Sequence, residues 1–284
     1  MRFGAERRGG AAVGRRFEEA SVFGFFKRRR REQLRAAPFP SAWLEIIERN
    51  VPFHAYLPEA DRRELQGLVQ VFLAEKNFEG CGGLELTDEI KVTIAAQGCV
   101  LLLHRAADIF PRLTSILVYP SAYVAKAVEP IGGGVVLEGE QVRLGEAWKG
   151  GVAIVSWDSV RETGLGLAYG KNLVLHEFAH LLDMEDGAAD GTPVLGRRSR
   201  YASWTKVMQD EYERLRRHGA VGRYTVLDPY GATNSAEFFA VATEAFFEKP
   251  GVLQKRHPEL YEELKSYYQQ DPARLLPVGE SLIP

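Results

Sequence analysis

The chain has 284 residues, 45% of them hydrophobic and 26% charged, ordinary globular proportions in a length that buries a substantial core as one large domain or two modest ones. A formal net charge of −2 argues against nucleic acid as the principal partner, although arginines crowd into residues 1–35 and leave the remainder acidic. Two cysteines, Cys81 and Cys99, are too few for a disulfide framework and point to a reducing cytoplasm, and the longest apolar run, residues 92–103, is too short for a transmembrane segment.

Residues 1–35 read as a flexible Arg-rich tail, because Gly9, Gly10, Gly14 and scattered arginines show no hydrophobic period. No secretory signal fits: the apolar patch 22–26 is short, broken by Gly24 and followed by the charge run 27–31. Phe23, Phe25 and Phe26 beside that run offer the tail another role, an electrostatic contact with lipid or nucleic acid; a solvated tail is the simpler reading. Past Pro38 and Pro40, the helical spacing of Trp43, Ile46 and Ile47 predicts a short helix. Residues 58–76 follow as a second, with Leu65, Leu68, Val69, Phe72 and Leu73 on one stripe. A third starts after Thr87, an N-cap followed by Asp88 and Glu89, and runs to about Leu103. These elements make residues 36–112 a helical N-terminal part.

From Leu113 the period changes. Residues 115–120, 135–140, 141–145 and 152–157 read as strands, with turns at 132–134 and at Gly150 and Gly151. The last strand, residues 151–157, is the expected edge to which an extended peptide would pair. Helices over 203–217, 235–247 and 258–269, joined by loops 185–200 and 221–234, complete a core spanning 113–275, and 276–284 form a C-terminal tail. The expected class is α+β: a small mixed sheet packed on a central apolar helix, with helices before and after it in one compact unit.

That central helix is KNLVLHEFAHLLD, residues 171–183. His176 and His180 lie four apart, one above the other on one helical face, so both imidazoles reach a single metal ion. The flanking residues are apolar nearly all round, and two imidazoles and a carboxylate buried without partners would cost several kcal/mol. Zinc suits neutral imidazole; with a third protein ligand and an open position for water, Glu177 is placed to act as the general base.

The third ligand comes from elsewhere. Asp183 occupies the position at which several zinc peptidase classes place a turning glycine, which disfavours an early ligand and leaves Asp186 as a rival. Glu237 and Glu244 stand seven apart in the apolar helix 235–247. Zinc is the natural partner for the first and a ligand histidine for the second, the structural alternative for Glu237 being a capping box with Asn234. Tyr230, seven residues before Glu237, offers a phenol to a tetrahedral oxyanion, or is an ordinary half-buried loop tyrosine. Asp228 is a second rival ligand, and Asp183 a candidate acceptor for an imidazole N–H.

HEFAHLLD at 176–183 and DPYGATNSAEFFAVATEAFF at 228–247, with a weaker match over about 25–272, resemble the Mlc titration factor A family of zinc metallopeptidases. The resemblance implies a zincin-like fold, similar to the catalytic domain of anthrax lethal factor. It implies one zinc ion held by His176, His180 and Glu237, with Glu177 as catalytic base and Tyr230 as hydrogen-bond donor in the transition state. It also implies aminopeptidase-like activity on peptide substrates and a partner, the cytoplasmic sugar-transport repressor Mlc, that binds and stimulates the peptidase. The other reading is a regulatory protein that binds a transcriptional repressor, with zinc mainly structural. A glutamate in the base position favours the enzyme, because structural zinc sites close the fourth position with protein.

Overall fold

The computed structural model describes residues 24–105, 108–121, 123–131, 135–143, 145–148, 150–164, 171–220, 223 and 225–276. The expected turn at 132–134, the tail up to residue 23 and the C-terminal tail from 277 lie outside these residues. Residues 24–36, expected in the flexible tail, form a helix (α1). The charge run itself anchors it: Arg31 makes two hydrogen bonds to Glu75, at 2.7 and 2.6 Å, and pairs with Asp108, while Leu34 packs against the core.

Helices α2 (Ser41–Asn50), α3 (Glu59–Glu75) and α4 (Asp88–Val100) follow. The stripe on α3 buries Leu65, Leu68, Val69 and Phe72. Thr87 caps α4 by accepting the Ile90 N–H at 3.3 Å, and α4 is buried almost throughout. A helix buried on all sides cannot be amphipathic, which is why Val92, Thr93 and Ile94 run together without a polar face.

The main sheet has the order β1 (Asn77–Gly80), β2 (Ser115–Tyr119), β6 (Val152–Ser156) and β5 (Gly145–Trp148). Its first three strands are parallel and β5 is antiparallel to β6. Between β2 and β5 the chain makes a separate hairpin of β3 (Tyr123–Ile131) and β4 (Val135–Arg143). Two expectations are corrected here. Residues 135–145 are not two strands of one sheet but the end of the hairpin and the start of β5. The strand expected at the edge, 151–157, is internal, with β2 on one side and β5 on the other. The cause is the turn at Gly150 and Gly151, where Gly151 takes φ +82° and folds β5 back along β6.

Helices α5 (Trp157–Gly164), α6 (Leu173–Asp183), α7 (Arg200–Ala220), α8 (Ser235–Glu248), α9 (Pro250–Arg256), α10 (Pro258–Tyr268) and α11 (Pro272–Leu275) complete the architecture. α6 packs on β5, β6, α4 and α8. Its Phe178 sits in an aromatic cluster with Phe72 and Phe110, ring centroids 5.8 and 4.9 Å away, and lies directly over Gly98 of α4.

Candidate metal centre

Asn172 starts α6 by accepting the Leu175 N–H on its side chain at 3.0 Å, satisfying one of the helix's orphan donors. From there the helix buries Val174, Leu175, Phe178, Ala179, Leu181 and Leu182. Leu173, His176 and His180 are left half-buried, three and then four residues apart and so on one stripe. The two imidazole centroids lie 5.0 Å apart. Glu177, beside that stripe, is 3% exposed.

The facing helix, α8, brings the carboxylates. Asn234 accepts the Glu237 N–H at 3.0 Å, so the backbone of Glu237 belongs to the helix cap. Its side chain turns the other way: Oε2 stands 3.0 Å from His176 Nε2 and 3.3 Å from His180 Nε2. Capping and facing the histidines are therefore compatible at this position. Two turns on, Glu244 Oε1 lies 2.7 Å from His176 Nδ1, and its Oε2 accepts the Asn172 backbone N–H at 2.6 Å. Asn172 Nδ2 in turn donates to the buried Glu248 at 2.9 Å. Sequence reasoning passed over Asn172 and Glu248, although an Asn just before an apolar run and a second acid four residues after Glu244 were both visible signals.

Burial alone would push the Glu237 carboxyl up, but its contacts with His176 and His180 outweigh burial and hold it down to about 2. Burial likewise works against charge on His176, yet Glu237 and Glu244, with Glu177 nearby, raise it to about 10. Glu237 and Glu244, with Glu177 nearby, concentrate negative charge around two imidazoles, an environment suited to a cation.

The geometry fits such an ion. Ligand atoms of His176, His180 and Glu237 all lie within 4.8 Å of one another. A tetrahedral zinc with bonds of about 2.0–2.1 Å separates its ligand atoms by roughly 3.3 Å, and the two contacts to Glu237 Oε2 come close to that separation. Were Nε2 to face a metal, the proton of a neutral His176 would sit on Nδ1, 2.7 Å from Glu244 Oε1.

The rival ligands are engaged elsewhere. Asp228 accepts the Tyr230 N–H at 2.8 Å and pairs with Lys171 at 2.7 Å, and Asp186 accepts the Ala188 N–H at 3.0 Å. Asp183, the expected acceptor for an imidazole N–H, instead accepts the Gly191 N–H at 2.9 Å, pinning the loop after α6. It lies at the C-terminal end of α6, fully buried. Tyr230 is 55% exposed, its ring centroid 6.1 Å from that of His176. One other group converges among the described residues, Asp61, Glu64 and His104. There the two ring nitrogens of His104 are already taken by Asp61 Oδ1 at 2.9 Å and the Gln269 carbonyl at 3.0 Å, which makes it a tie between helices.

Fold and site together define an α+β protein in which two packed helices bring two imidazoles and a carboxylate close enough to hold one metal ion. The model of the glucose-regulated metallo-peptidase M90 family matches residues 25–269. The chain is 43% identical over 244 residues to an uncharacterized protein of Synechocystis sp., covering 86% of this chain and 89% of that one. It is 31% identical over 242 residues to Mlc titration factor A of Yersinia pestis and of Yersinia pseudotuberculosis, covering 82% of this chain and 86% of each relative. The chain belongs to the glucose-regulated metallo-peptidase M90 family, that of Mlc titration factor A. Membership in a metallopeptidase family implies a metal, and His176, His180 and Glu237 are the described residues best arranged to receive it.

Proposed function

We propose that the protein is a cytoplasmic, aminopeptidase-like zinc peptidase, with His176, His180 and Glu237 as the ligands of one zinc ion. The observation that carries this reading is the convergence of those three side chains beside the buried Glu177. When bound, the ion supplies Lewis-acid activation of water and of the scissile carbonyl. Glu177 accepts the proton of the attacking water and passes it to the leaving amine. The hydroxyl of the exposed Tyr230, whose ring lies 6.1 Å from that of His176, donates a hydrogen bond to the carbonyl oxygen as charge develops there. Glu244 fixes the tautomer and orientation of His176. An extended peptide is held by pairing with β5, which has β6 on one side and, among the described residues, no strand on the other. The cytoplasmic assignment is supported by two free cysteines, one of them buried.

The test pairs elemental analysis of the purified protein with a peptide-library digest read by mass spectrometry. Glu177→Gln is expected to keep its metal while hydrolysis falls at least about a hundredfold. A variant cleaving at the parental rate would end the mechanism.

The name of the 31% identical relatives, Mlc titration factor A, favours a second reading in which the protein binds a transcriptional repressor and the metal is mainly structural. Repressor capture that survives Glu177→Gln, with no turnover on the library, would decide for it.

A further inference from the structure

The proposed chemistry leaves the basic run of α1 unused. Helical geometry divides that run into two faces. Lys27, Arg31 and Leu34, spaced i, i+4, i+7, form the inner one: Lys27 reaches Asp108 at 3.3 Å, Arg31 is clasped by Glu75 and Asp108, and Leu34 packs on the core. The outer face is turned to water. Phe25 and Phe26 are 51% and 61% exposed, and Arg28, Arg29 and Arg30 are exposed beside them. Phe25 with Arg29, and Phe26 with Arg30, are i, i+4 pairs, so rings and guanidinium groups alternate along that exposed surface. Arg28 lies 5.9 Å over the Phe25 ring and meets Glu32 at 3.9 Å, with both of those charged side chains well exposed. Among the described residues Arg29 and Arg30 make no ion pair.

We infer that this outer face docks the protein on the surface of an anionic bilayer, with Phe25 and Phe26 entering the boundary between headgroups and acyl chains and the arginines pairing with lipid phosphates. Charge distribution supports the orientation. Residues 24–36 hold Lys27, Arg28, Arg29, Arg30, Arg31 and Arg35 against Glu32, six minus one or +5, in a chain of net charge −2, so the remaining residues sum to −7. A molecule polarised in this way turns α1 towards a negative surface and its body away. The clasp on Arg31 ties the docking helix to the folded body. Nucleic acid fits less well, since stacked bases need aromatic rings spread along a basic groove. Here the rings are sequence neighbours in mutual edge contact, centroids 6.0 Å apart, at one end of a short helix.

The experiment is co-sedimentation of the full chain with phosphatidylcholine vesicles, with and without about one-third phosphatidylglycerol, at low and physiological salt. Partition into the anionic vesicles is expected to exceed that into neutral ones at least tenfold and to fall as salt rises. The triple variant R28E/R29E/R30E is expected to bind about a hundredfold more weakly, near fivefold for each cation removed. F25S/F26S is expected to lose about tenfold with an unchanged salt slope. Both variants alter only the outer face, so unchanged far-UV circular dichroism serves as the folding control. The inference is overturned if the full chain partitions into neither vesicle, or if the charge-reversed variant binds like the parent. It is also overturned if a labelled single-stranded oligonucleotide binds more tightly than the vesicles, which would assign the face to nucleic acid.

Discussion

Glu244 holds two donors at once, the Nδ1–H of His176 and the backbone N–H of Asn172, one on each carboxylate oxygen. An amide has a single acceptor oxygen, so Glu244→Gln leaves one of those buried donors without a partner. Metal affinity is expected to fall by about tenfold to a hundredfold, measured by competition with a chromogenic chelator; an unchanged constant would show that His176 is not oriented from α8. Asp183 has a different consequence. Its burial, reinforced by Asp190 and opposed by the Gly191 N–H, raises its carboxyl to about 6. An acid raised on folding keeps its proton while the unfolded chain loses it, so stability falls as pH rises from about 4 to about 6, by about 3 kcal/mol in all, and stays reduced above that. Asp183→Asn should flatten the dependence of the urea midpoint between pH 4 and pH 7; the parental slope in the variant would dismiss this account. What sequence showed at this scale followed locality. The spacing of His176 and His180 is a property of one helix turn, whereas the partner of Asp183 is a backbone N–H placed by a loop whose course only the tertiary fold decides.

Elements were legible where one face is buried and the other wet. The stripe on α3 located that helix to within a residue at either end, 58–76 against Glu59–Glu75. β1 was missed because Asn77–Gly80 has neither alternation nor β-branched residues; it is a strand because β2 lies beside it. β5 was missed because its pairing depends on a left-handed glycine several residues further on. The contact between α4 and α6 was also invisible in sequence, yet it sets the position of the histidine helix. Gly98 has no side chain because the Phe178 ring occupies the space a Cβ would need. Helix propensity favours Ala over Gly by about 1 kcal/mol, while overpacking costs about 1–3 kcal/mol. Gly98→Ala is therefore expected to lower stability by up to about 2 kcal/mol, against the sign propensity alone would give. A urea midpoint shifted upwards would mean that α6 yields easily, and then metal affinity should be unchanged as well.

At the scale of the whole molecule, residues of the segments 36–112 and 113–275 share one sheet and one core. β1 comes from the first segment and pairs with β2 of the second, α4 packs on α6, and one hydrophobic cluster runs from Ile47 to Tyr268. Removing the first segment would strip the sheet of a strand and expose the face of α6 that carries Phe178, leaving more apolar surface uncovered than the remainder can offset. Residues 113–276 expressed alone are therefore expected not to fold, and the full chain to unfold as one cooperative unit. The cysteines provide the readout. Cys99 lies fully buried in α4, where burial pushes its thiol far above the ordinary value, whereas Cys81 is half-buried beside β1. In native buffer a thiol reagent should label Cys81 alone, and Cys99 only at the rate of global opening, so its labelling across a urea titration should superimpose on the circular dichroism transition. Labelling of Cys99 at urea concentrations well below that transition would show that the N-terminal helices open separately from the rest of the chain.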